Sequence, residues 1–418
     1  MLKGWVHDLY IEPSYFFTYF GFEWVKPLSE GGMYFLFTAL AIAFLFQAIG
    51  FFYRAASIFS FLAFTYIELI DKTNYLNHYY FVSIVCLLLI FVPAHRYFSI
   101  DVLRKPALKV THIPRYFVFL FQLQLAIVYF YAGLAKLNYD WIVNAMPLKI
   151  WLPSKSDMPI IGKLLQQDWV AYAFSWAGAL YDLGIPFLLF NKRTRWVAYV
   201  VVIVFHVLTY LLFQIGMFPF IMIGATLIFF SEGFHLILLE KARRLMGKKA
   251  VDKELHYSSI IPIKPTVFFL ALFFVWQLAV PLRYLMYPDN LYWTEEGYRF
   301  SWRVMLMEKA GYAIFHITDA DNGMHWEVNN YEFLTPNQEK MMSTQPDMIL
   351  QFAHYLGDYY RRRGVNDPKV TVEVYVTLNG KASQLFIDPT IDLTTIREGF
   401  EHKDWILPMS AAQKVRTD

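Results

Sequence analysis

The chain has 418 residues, 57% hydrophobic and 19% aromatic, with only 17% charged and a formal net charge of +3. That is too apolar and too poor in charge for an ordinary soluble domain, so the surplus must face lipid; the small, dispersed positive charge argues against nucleic acid as a partner. The single cysteine, Cys86, lies in an apolar run, which leaves no disulfide framework and no C-x-x-C redox or zinc pattern.

Residues 1–32 contain an aromatic-rich stretch, Tyr15 to Trp24, that is not a continuous span. It reads either as a short interfacial segment or as the neighbour of an N-terminal span that is missing. No basic stretch, short apolar core and small-residue cleavage site follow one another, so no cleavable signal peptide is predicted. Apolar runs near the ~20 residues needed to cross a bilayer then recur, at 33–53, 55–70, 78–93, 116–136, 169–190, 196–214, 217–231 and 266–287. The shorter of these eight runs suit tilted, re-entrant or kinked helices. If the chain alternates sides, Arg54 and the segments 96–115, 192–195 and 241–253 form a basic set, which the positive-inside rule places in the cytoplasm. The opposite side receives Asp71, Lys72, the loop 138–168 and everything after 287.

From Pro288 the pattern changes. A strand is predicted over 312–318, a turn over 319–323, and a helical stretch from Thr335-Pro336 to Arg363 that breaks at Pro346. Residues 370–378 then alternate strictly, and Asn379-Gly380 leads into 382–387, the strongest hairpin signal in the chain. The predicted architecture is a polytopic α-helical membrane domain, residues 1–287, followed by a C-terminal extracytoplasmic α+β domain, residues 288–418. About 130 residues are enough to support a core.

Ionisable residues in or beside the spans are the candidate functional groups, because burying a charge in lipid is costly. Lys136 ends its run near the external boundary. It can snorkel to the interface, the better reading on physics alone, or, if desolvated, become a neutral amine able to act as a general base. His206 lies mid-span, where a short imidazole cannot snorkel; it is a functional group or a hydrogen-bonded contact between helices. Asp182 is similarly deep and reads as a buried acceptor or a helix contact. His95 follows Pro93 at the cytoplasmic end of its run, far from Lys136 unless the third run is broken or re-entrant, and a solvated loop histidine is the simpler reading. Asn77 and His78, beside Asp71 and Lys72, fit an interfacial turn. There is no G-x-S-x-G, phosphate loop, G-x-G-x-x-G or H-E-x-x-H, so hydrolases, ATP-driven pumps and zinc proteases have no positive support.

Ordered segments add to this. Asp71-Lys72-Thr73-Asn74-Tyr75-Leu76-Asn77-His78, Ala94-His95-Arg96-Tyr97-Phe98-Ser99-Ile100-Asp101, Ala132-Gly133-Leu134-Ala135-Lys136-Leu137-Asn138-Tyr139-Asp140-Trp141 and Phe205-His206 with Leu212-Phe213-Gln214-Ile215-Gly216-Met217-Phe218 resemble the vitamin K-dependent γ-glutamyl carboxylase family in its bacterial branch, whose membrane domain is shared with the wider HTTM family. In the tail, Phe300-Ser301-Trp302-Arg303, Pro346-Asp347-Met348-Ile349-Leu350-Gln351-Phe352-Ala353 and Ile387-Asp388-Pro389 continue the resemblance. It implies an integral protein of the bacterial inner membrane that oxidises reduced vitamin K, a lipid-soluble quinol, with O2. That oxidation would be coupled to proton removal from the γ-carbon of a glutamyl peptide or protein, with CO2 trapping the carbanion and no metal required. It also implies Lys136 as the base on the hydroquinone, with His206 and, less directly, His95 in support; an ungapped match to animal members places their histidine at Arg96. Ala135 stands where animal members have a second lysine, and the tail is shorter than the animal lumenal region. Two alternatives follow: a hydroquinone epoxidase without carboxylation, and a non-catalytic membrane scaffold or lipid-binding protein.

Overall fold

The computed structural model describes residues 4–213, 215–245 and 264–409. Gln214, at the end of the sixth predicted run, and residues 246–253 of the predicted basic loop lie outside the described residues.

Among the described residues, six helices are long and apolar enough to cross a membrane: Glu30–Ile49, Tyr53–Ile70, Tyr116–Lys136, Asp168–Phe190, Arg195–Leu212 and Lys264–Met286. The other two predicted runs behave differently. Asn77–Phe91 has 15 residues, about 22 Å at the helical rise, short of a ~30 Å hydrocarbon core. The run 217–231 ends at a bend: Phe218–Phe229, which fills it, meets the next helix, Glu232–Lys241, at 114°. The break falls at Phe230, whose backbone is extended, and the following segment carries Glu232, Glu240 and Lys241, too polar to continue an apolar span. The count of eight therefore becomes six, or seven with the bent pair.

The chain divides into two compact units, one of Ile42–Phe61 and Phe81–Ala279, the other of Met1–Ala41, Leu62–Tyr80 and Val280–Asp418. In the first, polar side chains link apolar helices: Gln122 Nε2 donates to Ile228 O at 3.0 Å and Tyr131 Oη to Leu278 O at 2.6 Å. Such bonds add specificity where lipid removes the hydrophobic drive between helices.

The second unit contains an antiparallel sheet of β1 (Lys309–Thr318), β2 (His325–Glu327), β3 (Lys369–Leu378) and β4 (Gln384–Leu385), in the order β2-β1-β3-β4. In β3 the period of two puts Val370, Val372, Val374, Val376 and Leu378 on one buried face, each side chain contributing about 1.5–3 kcal/mol by leaving water. Met348, Ile349, Phe352, Ala353 and Leu356 of the helix Pro346–Arg362 join the same core. β1 pairs with β3 from Lys309↔Leu378 to Thr318↔Lys369.

Local chemistry explains the boundaries. Thr335 and Gln338 form a reciprocal capping box with Pro336 at the first helical position, and Pro346 starts the second helix, as its missing N–H allows. Asn379 and Gly380 both have positive φ, 52° and 74°, as the predicted tight hairpin requires. The following strand is shorter than predicted, because the chain leaves β3 to bridge Ile387 to Ile406. β2 is an addition the sequence did not signal. The aromatic segment near the N-terminus joins this unit: Phe17 is fully buried in its core, Ser14 Oγ donates to Phe333 O at 2.8 Å, and Trp24 is exposed. The protein is thus a polytopic α-helical membrane protein with a C-terminal α+β domain.

Candidate functional site

Lys136 closes the Tyr116–Lys136 helix, three residues after Gly133. A Cβ on Gly133 would come within 2.7 Å of Leu183 N, so the missing side chain lets this helix and Asp168–Phe190 approach backbone to backbone. That contact sets Lys136 against Asp182: Nζ donates to Oδ2 at 2.6 Å and to Ala132 O at 3.4 Å. Both side chains are buried, 8% and 7% exposed. Lys136 therefore turns inward and does not snorkel.

The surroundings hold the lysine in place. Its Nζ lies 5.4 Å from the Trp141 ring centroid. Trp141 Nε1 donates to Ser175 O at 2.9 Å, and Ser175 Oγ donates back to Trp141 O. Asn138 accepts from Trp141 N and donates to Ala135 O, both at 2.9 Å, fixing the turn that follows the helix. A Cβ at Gly178 would stand 3.8 Å from the Trp141 ring and 3.9 Å from Lys136 Cε, so this buried glycine lies beside both side chains.

His206 is buried in the Arg195–Leu212 helix, with Nδ1 2.9 Å from Val202 O and 3.4 Å from Tyr181 Oη. A carbonyl only accepts, so the Val202 bond places the proton on Nδ1 and leaves Nε2 with its lone pair. Tyr181 stacks on Phe205 at 3.9 Å, Tyr129 lies edge-on to Tyr181 at 5.9 Å and to His206 at 6.1 Å, and Phe218 is 5.8 Å from His206. Tyr181 and Asp182 are consecutive, and Tyr129 precedes Lys136 by two turns. The aromatic group and the ion pair thus occupy neighbouring levels of the same helices, which brings Lys136 and His206 into one region.

His95 is not part of that group. It lies in a 3-10 turn, buried, its ring stacked on Tyr53 at 4.8 Å, with Nδ1 lacking a hydrogen-bond partner. Burial, with Arg54 and Arg96 nearby, holds its ring below the ordinary histidine range. It is neither a solvated loop residue nor in contact with Lys136 or His206.

Two features were not assembled from the sequence. Asp182 reads in sequence as a buried acceptor or a helix contact without a named partner; opposite charges in neighbouring spans, each needing a partner, are the signal for pairing it with Lys136. Tyr129 and Tyr181 had no distinguishing signal among 29 tyrosines.

In the second unit, segments distant in sequence also converge. Lys72 Nζ pairs with Asp347 Oδ2 at 2.9 Å and with Glu398 at 3.6 Å, and Arg299 Nη1 reaches Asp347 Oδ2 at 2.7 Å. Burial opposes ionisation of Asp347, but Arg299 and Lys72 hold its carboxyl well below the usual range. Asp71 accepts from Thr73 N at 2.9 Å and from Gln338 Nε2 at 2.8 Å, while burial pushes its carboxyl up to about 6. Asn77 donates to Arg303 O at 2.8 Å, and Phe300 N donates to Tyr75 Oη at 2.8 Å. The segment 71–77, which fits an interfacial turn in sequence, is an internal tie.

Comparison with known families gives two adjoining matches. Residues 1–234 match the family described as HTTM domain, and residues 263–412 match the vitamin K-dependent gamma-carboxylase, lumenal domain. No solved structure matches the chain.

Proposed function

This chain belongs to the HTTM family and, through the lumenal domain that follows, to the vitamin K-dependent gamma-carboxylases; from that premise we propose that it oxidises reduced vitamin K with O2 and uses the base so generated to carboxylate peptide glutamate with CO2. The observation that carries the reading is the buried Lys136–Asp182 pair beside an aromatic group of Tyr129, Tyr181, Phe205, His206 and Phe218. The residues suit a flat, apolar quinol: rings to lie against and a proton acceptor at one end.

When bound, reduced vitamin K supplies through its oxygenation a base strong enough for the weakly acidic γ-C–H. The chain's own part is proton handling. Lys136 and Asp182 are net neutral whichever of them holds the shared proton. Taking one more proton leaves Lys136 as ammonium and Asp182 as carboxylic acid, so the pair can accept a proton at Nζ and gains only one unit of buried charge. Asp182 positions the amine, and Trp141 and Asn138 fix the turn beside it. His206, with Nδ1 engaged by Val202 O, offers Nε2 as an acceptor within the aromatic group. We assign His95 a supporting role apart from the pair.

We further place the basic loops in the cytoplasm and the tail outside, a reading supported by the lumenal-domain match. We assign the oxygenation chemistry to residues 1–287 and the substrate side to 288–418. The test is conversion of vitamin K hydroquinone to epoxide by purified protein, with and without a glutamyl peptide. Epoxide together with peptide-dependent CO2 incorporation is expected. Epoxide alone leaves the oxygenase half standing, and neither product refutes the reading.

A further inference from the structure

The second unit buries several charges, and nearly all are matched. Lys72 and Arg299 share Asp347, Lys309 meets Glu295 at 2.9 Å, and Glu296 meets His402 at 3.1 Å and also accepts from Lys403 N. Arg303 breaks the pattern. It is only 6% exposed, its Nε has no hydrogen-bond partner, and among the described residues no carboxylate pairs with it. Its guanidinium lies against aromatic faces, 4.4 Å from the Tyr284 centroid and 5.9 Å from that of Tyr292. Its own carbonyl is held by Asn77.

A buried guanidinium without an anion is costly, because burial removes hydration that only a counter-charge or a full set of acceptors restores. Contact with the Tyr284 ring offsets part of that cost and leaves the Nε edge of the group, where Nε–H has no acceptor, to be satisfied. That edge is a planar fork whose spacing matches two oxygens of a carboxylate, a geometry an ammonium cannot reproduce. We propose that Arg303 is a recognition residue for the side-chain carboxylate of a glutamyl substrate, bound through two parallel N–H···O bonds. The inference rests on the carboxylase reading above for the identity of the carboxylate. Chemistry supports that choice: a glutamyl side chain brings one negative charge into a dry site, and a single unpaired buried cation offsets it with no other group having to change its partner.

The test uses the full-length protein in detergent and two probes, a short peptide containing one glutamate and the same peptide with glutamine. Wild type is expected to bind the glutamyl peptide roughly tenfold or more tightly than the glutaminyl one, the scale of a charge-assisted hydrogen bond. Arg303→Gln should bring that preference close to one. Arg303→Lys, which keeps the charge and guards against a folding failure, should reduce the preference several-fold. A wild type without preference, or an undiminished preference in either variant, overturns the inference. A preference that depends on Arg303 in a protein that incorporates no CO2 into the peptide would sustain the carboxylate site and sink the carboxylase reading.

Discussion

Removing one partner of the Lys136–Asp182 pair should separate stability from chemistry. The contact is 2.6 Å long between side chains 8% and 7% exposed, so water does little to screen it. Asp182→Leu leaves a buried amine without its acceptor, and Lys136→Met leaves a buried carboxylate without its donor; each should cost about 3–5 kcal/mol, the usual penalty for orphaning one member of a buried pair. The double variant Lys136→Met/Asp182→Leu removes both charges and should recover most of that loss, because apolar side chains of similar volume substitute well for a buried pair. Activity should not recover with it. Loss of a general base lowers rates by about 10²–10⁴, so epoxide formation should be absent from both Lys136→Met variants. Apparent unfolding temperature in detergent, measured beside epoxide production, checks both halves. Additive destabilisation in the double variant would show that the two residues are not energetically coupled, and an active Lys136→Met protein would remove the base assignment.

Three further outcomes are expected. Gly133→Val should lower both stability and epoxide formation, since a Cβ there falls 2.7 Å from Leu183 N and must push the lysine-bearing helix off its neighbour; normal activity would show that this close approach is dispensable. His206→Ala should reduce epoxide formation roughly tenfold or more while His95→Ala, outside the aromatic group, has the smaller effect; the reverse order would redraw the site. For Asp71, the folded carboxyl at about 6 lies above an unfolded value of about 3.9, so its contribution to stability is fully present below the lower value and is lost as pH rises through the upper one. Wild-type stability should therefore step down across that window, and Asp71→Asn should remove the step; an unchanged profile would contradict the cause assigned to it.

The parts of the fold that could be read from sequence are those set by local rules. Alternation in 370–378, the Asn379-Gly380 turn and the two helix-starting prolines, Pro336 and Pro346, each fix their own geometry. What the sequence left open depends on partners far along the chain. Lys136 favoured snorkelling because nothing local says that Asp182, on another helix, points at it; the contact is created by Gly133. His95 suited solvent because its cover comes from Tyr53. Short apolar runs also carry no mark of where a helix turns, so residues 217–231 read as a span although the helical segment stops at the extended backbone of Phe230 and the next helix leaves at a steep angle. The resemblance implies a base at Lys136; the geometry adds that the side chain is buried against Asp182, which spacing could not show.

The core that contains Phe17 has a consequence for biogenesis. Phe17 is completely buried in a core whose other members, apart from Tyr15 beside it, begin at Trp293, and Lys72 meets its counter-ions at Asp347 and Glu398. During synthesis, the first of these segments leaves the ribosome some 270 residues ahead of its cover. An apolar ring and a cation must therefore wait, unpartnered, while the intervening helices are inserted. A fragment that starts at 288 would emerge with a hole where Phe17 belongs and two carboxylates lacking Lys72. The rate at which the late segments arrive, and any chaperone that shields the early ones meanwhile, should govern how much of the protein reaches its native form.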